Sequence, residues 1–228
     1  MTCVDVLGLT ADGRVAFVSE LGQGDDPRVL AFEQGYVAVR PLDALRNDHG
    51  VIQLRFAVRP REGEARPGQP SRGADAGLDA DALGEIEVRQ RVAAYALVTS
   101  SKGLLATEFS DRTSVPGRWG MPGGGIEDHE EPAEAVLREV AEETEQDITL
   151  GDLVEVQSSH WVGRSPRDTV EDFHAVRLIY EASCDAPTTP VVVDVGGTTE
   201  SARWVPLDAW RAVAWTAGWH QILAARLP

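Results

Sequence analysis

Three glutamates, Glu139, Glu142 and Glu143, fall at i, i+3 and i+4 of a stretch, EPAEAVLREVAEET, that reads as a helix. At that spacing side chains share one helix face, and like charges there repel by about 0.2–0.5 kcal/mol per pair. No lysine or arginine stands four residues after any of the three to offset the repulsion. A solvated acidic face is the plain account. A hard divalent cation is the other: magnesium takes one or two carboxylates from protein and completes an octahedron with carbonyls, waters and substrate phosphates. On that account the face is a metal cradle, close to the glycine turn Gly123 to Gly125.

The elements that must position such a cradle are legible around it. Pro132 suits the first helical turn, where its missing N–H costs nothing. Ala133, Val136, Leu137, Val140 and Ala141 recur at helical spacing and predict the stripe that packs on a sheet. Upstream, Val92 to Thr99 and LLATEF (104–109) read as strands, as do Leu153 to Gln157 and Ala175 to Tyr180 downstream. ARWVPL leads to a helix expected to begin near Leu207 and to carry Trp210, Ala214 and Trp215. Ahead of all this, Val4 to Leu9, Val15 to Ser19, Tyr36 to Arg40 and Val51 to Val58 are short β-branched runs between turns, which predict a small, mainly β unit over 1–59. Residues 60–77, rich in Pro, Gly, Arg and Glu, read as a mobile linker that extends to about 85. The division is thus 1–59, 60–85 and 86–228, and the fold class α+β with a mixed sheet.

Composition narrows the function classes. The 228 residues carry a net charge of -16, which opposes an electrostatic grip on nucleic acid or on anionic membrane. A phosphate compound binding here needs a cation between it and the protein. Cys3 and Cys184 are too few for a disulfide framework or a zinc site. The N-terminus lacks the basic start and apolar run of a signal peptide, and no stretch nears the ~20 apolar residues of a membrane span, so a soluble, cytoplasmic protein is expected.

The stretch GGGIEDHEEPAEAVLREVAEETEQDI resembles the signature of the Nudix hydrolases: Gly, five residues, Glu, seven residues, then Arg-Glu-apolar-any-Glu-Glu-any-Gly-apolar. Gly124, Glu130, Arg138, Glu139, Val140, Glu142 and Glu143 fall on that spacing. WGMPGG (119–124) and RWVPLDAW (203–210) are similar to the family's flanking segments, so the resemblance covers about residues 88–226. It implies the Nudix α/β/α sandwich, and that Glu139 and Glu143 bind metal directly. Glu142 would bind directly or through water, the Gly123 carbonyl would add another oxygen, Glu127 would join through water or stay a solvated loop acid, and Arg138 would pair with and hold Glu130 or Glu142. Two positions depart: the signature's closing Gly is Glu145 and its next apolar residue is Gln146. A glutamate in the left-handed conformation that Gly normally takes there costs about 1 kcal/mol, or else the helix end moves.

The activity this resemblance implies is magnesium-dependent hydrolysis of a phosphoanhydride in a nucleoside diphosphate derivative, with manganese as a substitute and a homodimer by family analogy. Glu200 is the favoured general base, with Glu171 and Asp172 as alternatives. Arg112, Arg118, Arg164 and Arg167 are candidates for phosphate oxygens, and Trp161 and Trp119 for base stacking, each against the plainer reading of a rim arginine or a core tryptophan. His174 reads as structural. The competing function is a non-catalytic nucleotide sensor or scaffold on the same fold.

Overall fold

Alternation of apolar and polar residues in the first sixty positions builds β1 (Val4–Leu9), β2 (Val15–Glu20), β3 (Tyr36–Arg46) and β4 (Ile52–Pro60), with helix α1 (Pro27–Glu33) between β2 and β3. In the computed structural model, which describes residues 3–68, 73–75, 78, 86–164, 169–193 and 196–227, these strands form a separate four-stranded sheet in the order β2-β1-β4-β3. β1 and β4 run parallel, and the outer pairs are antiparallel. Ile52, Leu54, Phe56 and Val58 alternate into its core with Val4 and Val6. Helix α1 has no counterpart in the sequence reading, because seven residues are too few to establish a helical period. Its start is set by Pro27 and by the Asp26 carboxylate, which accepts the Arg28 N–H at 2.7 Å.

The second sheet takes β5 (Gly73–Ala74), β6 (Glu87–Ser100), β7 (Gly103–Phe109), β8 (Trp119–Gly120), β9 (Gly123–Gly125), β10 (Thr149–Arg164), β11 (Val170–Ser183) and β12 (Thr199–Val205). Its order is β12-β7-β6-β11-β10-β5, with β8 on β7 and β9 on β6. Helix α2 (Pro132–Thr144) lies between β9 and β10 in sequence, and α3 (Ala217–Arg226) closes the chain. Part of the expected linker is therefore strand: Gly73 and Ala74 pair in parallel with Trp161 and Val162. Gly73, lacking a side chain, sits against the Trp161 Cβ. Most of the rest of that linker, 69–72, 76–77 and 79–85, lies outside the described residues, as does Arg167.

Compactness groups the chain into one unit of 1–93, 125–132 and 152–179 and another of 94–124, 133–151 and 180–228, so β6, β9, β10, β11 and α2 contribute to both. The first contains the N-terminal sheet. The second contains α3, β7, β12 and all of α2 but Pro132, with Leu104, Leu105, Val136, Val140, Trp210, Trp219 and Leu223 buried. Among the described residues no helix is long and apolar enough to cross a membrane.

Two expectations are corrected. The C-terminal helix begins at Ala217, not near Leu207, and Trp210 lies in a single 3-10 turn. Trp119 donates its N–H to the Ala214 carbonyl and accepts the Thr216 N–H, each at 3.1 Å, so the backbone around Trp215 is spent on an extended bridge and cannot be helical. The packed stripe of α2 is also turned. Leu137 and Ala141 are exposed, whereas Pro132, Ala135, Val136, Val140, Glu143 and Thr144 are buried. Counting apolar residues treats alanine like leucine, yet exposing Ala141 costs little. The inward face must carry Glu143, whose carboxylate accepts the Gly123 N–H and the Thr199 hydroxyl there.

Candidate active site

Helix α2 delivers the acidic residues, and β9 and β12 receive them. Glu143 is only 8% exposed. Its Oε2 accepts the Gly123 N–H at 2.9 Å, and its Oε1 accepts the Thr199 hydroxyl. A buried carboxylate without such donors would be costly, so these two bonds hold Glu143 in one setting. Thr199 escaped the sequence reading. No local signal marks it, since the contact depends on β12 coming to the end of α2.

One turn earlier, the Glu139 carboxylate lies against Gly124. A Cβ built at Gly124 would stand 2.5 Å from Oε1 and 2.6 Å from Oε2 of Glu139, so the absent side chain makes the space the carboxylate fills. Gly123 has φ of +139°, and a Cβ there would meet the Ala94 carbonyl oxygen at 2.3 Å. Both glycines are thus required by close approach, one to a side chain and one to backbone. Arg138 donates from Nη1 to Glu139 Oε1 at 3.0 Å and to Glu142 Oε2 at 3.1 Å. It bridges two of the three acids and offsets the repulsion that their spacing creates.

The helix ends where the signature's glycine is replaced. Glu145 adopts φ of +53°, so the glutamate takes the left-handed conformation and the helix end does not move. Gln146 gains a role its apolar counterpart would lack. Its buried amide donates to the Thr144 carbonyl at 3.0 Å and to Thr188 Oγ1 at 2.7 Å, and its Oε1 accepts the Thr188 N–H at 3.0 Å. A carbonyl freed at the helix terminus is thereby satisfied.

Glu200 follows Thr199 at a register shift in the β12–β7 ladder and is exposed. Bulges of this kind re-aim a side chain away from the regular alternation. Glu171 and Asp172 are buried and engaged: Glu171 with Arg89 at 3.2 Å, Asp172 with His160 at 2.5 Å and with Gln23 at 2.8 Å. Arg112 and Arg118 are exposed in the loop between β7 and β8. Trp161 stacks at a tilt on Phe173, 4.6 Å between centroids, and the exposed Arg164 donates its backbone N–H to Asp75 at 3.0 Å. Trp119 is largely buried, with the Arg203 guanidinium over its ring at 4.1 Å.

Among the described residues no three Asp, Glu, His or Cys side chains form an all-protein metal cage. Magnesium does not require one, since it keeps waters and shares its sphere with substrate phosphates. The donor set fits such an ion: oxygen ligands only, with Glu139 held beside the glycine turn and the half-exposed Glu142 on the same helix. The arrangement can hold a hard cation and, through it, phosphate oxygens.

The NUDIX domain model matches residues 89–225, and the chain belongs to that family. Nudix hydrolases in general use divalent metal cations. Over 35 residues the chain is 57% identical to Nudix hydrolase 25 of Arabidopsis thaliana, covering 15% of this chain and 20% of that protein. Over 67 residues it is 36% identical to the nucleoside triphosphatase NudI of Salmonella schwarzengrund (strain CVM19633), covering 29% and 48%. The chain thus spans about half or less of the length of these curated relatives. The MutT protein of Methanosarcina mazei Go1 is 19% identical with a TM-score of 0.48, covering 62% of this chain and 95% of that one.

Proposed function

We propose that this protein is a magnesium-dependent pyrophosphohydrolase that cleaves a phosphoanhydride bond of a nucleoside diphosphate derivative: a nucleotide, a nucleotide sugar or a dinucleotide. The observation that carries this reading is the convergence of Glu143, Glu139 and the Gly123–Gly124 backbone, with each carboxylate held by a distinct contact. Glu139, Glu142, Glu143 and the Gly123 carbonyl would hold the ion, for which manganese could substitute. When bound, it neutralises the diphosphate and lowers the pKa of the attacking water. Arg138 orients Glu139 and Glu142. Glu200 takes a proton from the water as its oxygen adds to phosphorus and the bridging P–O bond breaks. Its exposure on the β12 bulge, against the engaged state of Glu171 and Asp172, supports that assignment over the alternatives.

Arg112 and Arg118, beside the glycine turn in sequence, and Trp161 and Arg164 on β10 are assigned to phosphate and base. The division into 1–59, 60–85 and 86–228, a cytoplasmic location and a homodimer belong to the same proposal. The test is release of nucleoside monophosphate from dinucleotides, nucleotide sugars, ADP-ribose and nucleoside triphosphates, with and without magnesium. Magnesium-dependent cleavage of one class supports the hydrolase. No cleavage by folded protein that binds magnesium refutes it in favour of a nucleotide sensor. Within the active class, Glu200→Gln is expected to slow turnover more than Glu171→Gln, and the reverse ranking moves the base to β11.

A further inference from the structure

The hairpin joining β3 to β4 is closed by Asn47, whose Oδ1 accepts the N–H groups of His49 and Val51 at 2.9 and 3.0 Å. Arg46, the last residue of β3, carries this hairpin onto the segment that leads into α2. Its backbone N–H donates to Glu131 Oε2 at 2.9 Å. Its guanidinium donates to the carbonyls of Glu130 at 3.0 Å, Glu127 at 3.4 Å and Gly50 at 2.6 Å. One rigid fork of donors thus gathers carbonyls from two segments about 80 residues apart, a task that fits arginine and not lysine.

The gathered segment is a wound turn. The Glu127 N–H donates to Glu130 Oε2 at 2.8 Å, the Glu130 N–H donates to the Glu127 carbonyl at 3.2 Å, and His129 stands at φ of +67°. A non-glycine residue in that region costs about 1–2 kcal/mol and persists where its surroundings over-determine it. Arg46 holds the carbonyls of Glu127 and Glu130, which flank His129. Glu131 immediately precedes Pro132, the first residue of α2, so the turn feeds directly into the helix that carries the acids. Glu139 stands seven residues along, about 10 Å at the helical rise, so a tilt of about 5° at the helix start displaces it by about 1 Å. Displacements of that size cost catalysis heavily.

We propose that Arg46 is a positioning residue: it braces the Glu127–Glu131 turn that leads into α2 and thereby sets the α2 acids for the divalent cation. The catalytic consequence rests on the hydrolase reading; the bracing does not. The test compares Arg46→Ala and Arg46→Lys with the wild type in the full chain. Amide exchange over 126–131, Mn2+ binding by electron paramagnetic resonance without substrate, and kcat and KM on the cleaved substrate are read together.

Arg46→Ala is expected to speed exchange in the turn about tenfold or more. It weakens Mn2+ binding about tenfold and lowers kcat by about 10- to 100-fold with KM unchanged, and Arg46→Lys recovers part of each. Unchanged exchange in Arg46→Ala overturns the bracing, and faster exchange with wild-type Mn2+ affinity and kcat overturns the positioning. Should the wild type bind no Mn2+ and cleave nothing, the hydrolase reading and the positioning role fail together, and the exchange result still decides the bracing by itself. Arg46→Lys keeps the comparison open if Arg46→Ala does not fold.

Discussion

Gly124→Ala isolates the contact between the glycine turn and Glu139. The added methyl would lie 2.5 Å from the Glu139 carboxylate, while ordinary contact begins at 3.4 Å, so the carboxylate must retreat by about 0.9 Å. The backbone raises no objection, because Gly124 is not among the glycines with positive φ. The obstructing atoms are the tip of a side chain that can turn away. Gly→Ala at a compatible position stabilises through the unfolded chain by about 0.4–1 kcal/mol, which offsets the crowding and leaves folding stability nearly unchanged. Turnover is another matter. A displacement near 1 Å at a reacting centre costs about a hundredfold, or about 2.7 kcal/mol in the barrier. The assay is kcat on the cleaved substrate over a magnesium titration, with thermal unfolding in parallel. Gly123→Ala is the control: its Cβ would strike the backbone of Ala94 and Tyr95 in a strained conformation, so stability and activity should fall together. Wild-type kcat and magnesium dependence in Gly124→Ala would show that the Glu139 carboxylate does not act at the reacting centre.

Glu143→Gln keeps the size of the side chain but removes its charge, and turnover is expected to fall by orders of magnitude with far-UV circular dichroism unchanged; undiminished turnover at verified metal content removes Glu143 from the site. Glu145→Gly should raise unfolding free energy by about 1 kcal/mol in urea titrations, because glycine takes the left-handed position without strain; no gain would mean that the Gln146 bonds already define the helix end. His174 supplies a pH dependence. Burial holds its imidazole below the ordinary 6.5, with His160 acting in the same direction and Asp25 and Asp26 against it. Gln90 donates to Nδ1 at 3.0 Å, so the neutral ring carries its proton on Nε2 and gives it to Ser158 Oγ at 2.8 Å, which in turn donates to the Asp25 carbonyl. As pH falls from 6.5 toward the lowered native value, only the unfolded chain takes up this proton, so stability present above 6.5 is lost on the acid side. His174→Gln should flatten that part of a stability–pH profile, and a slope that survives the substitution assigns it to another group.

The sequence by itself determined the family and where its signature lies in the chain. Glutamates at i, i+3 and i+4 must share a helix face whatever the tertiary fold, and spacing over Gly124, Glu130, Arg138 and the three acids is a local property that needs no partner to be read. Strand positions were legible for the same reason, since alternation and turn residues act within a few positions. What faces what was decided only in three dimensions. The inward setting of α2 follows from hydrogen bonds that Glu143 makes with Gly123 and Thr199, 20 and 56 residues away. The extended backbone around Trp215 follows from pairing with Trp119, which overrides a helical pattern in Leu207 to Trp215. The reach of Arg46 to the turn before α2 follows from a hairpin folding over a gap of more than 80 residues. Each of these depends on satisfying backbone or carboxylate groups buried together, and a linear reading of side-chain polarity carries no information about which distant donor will arrive.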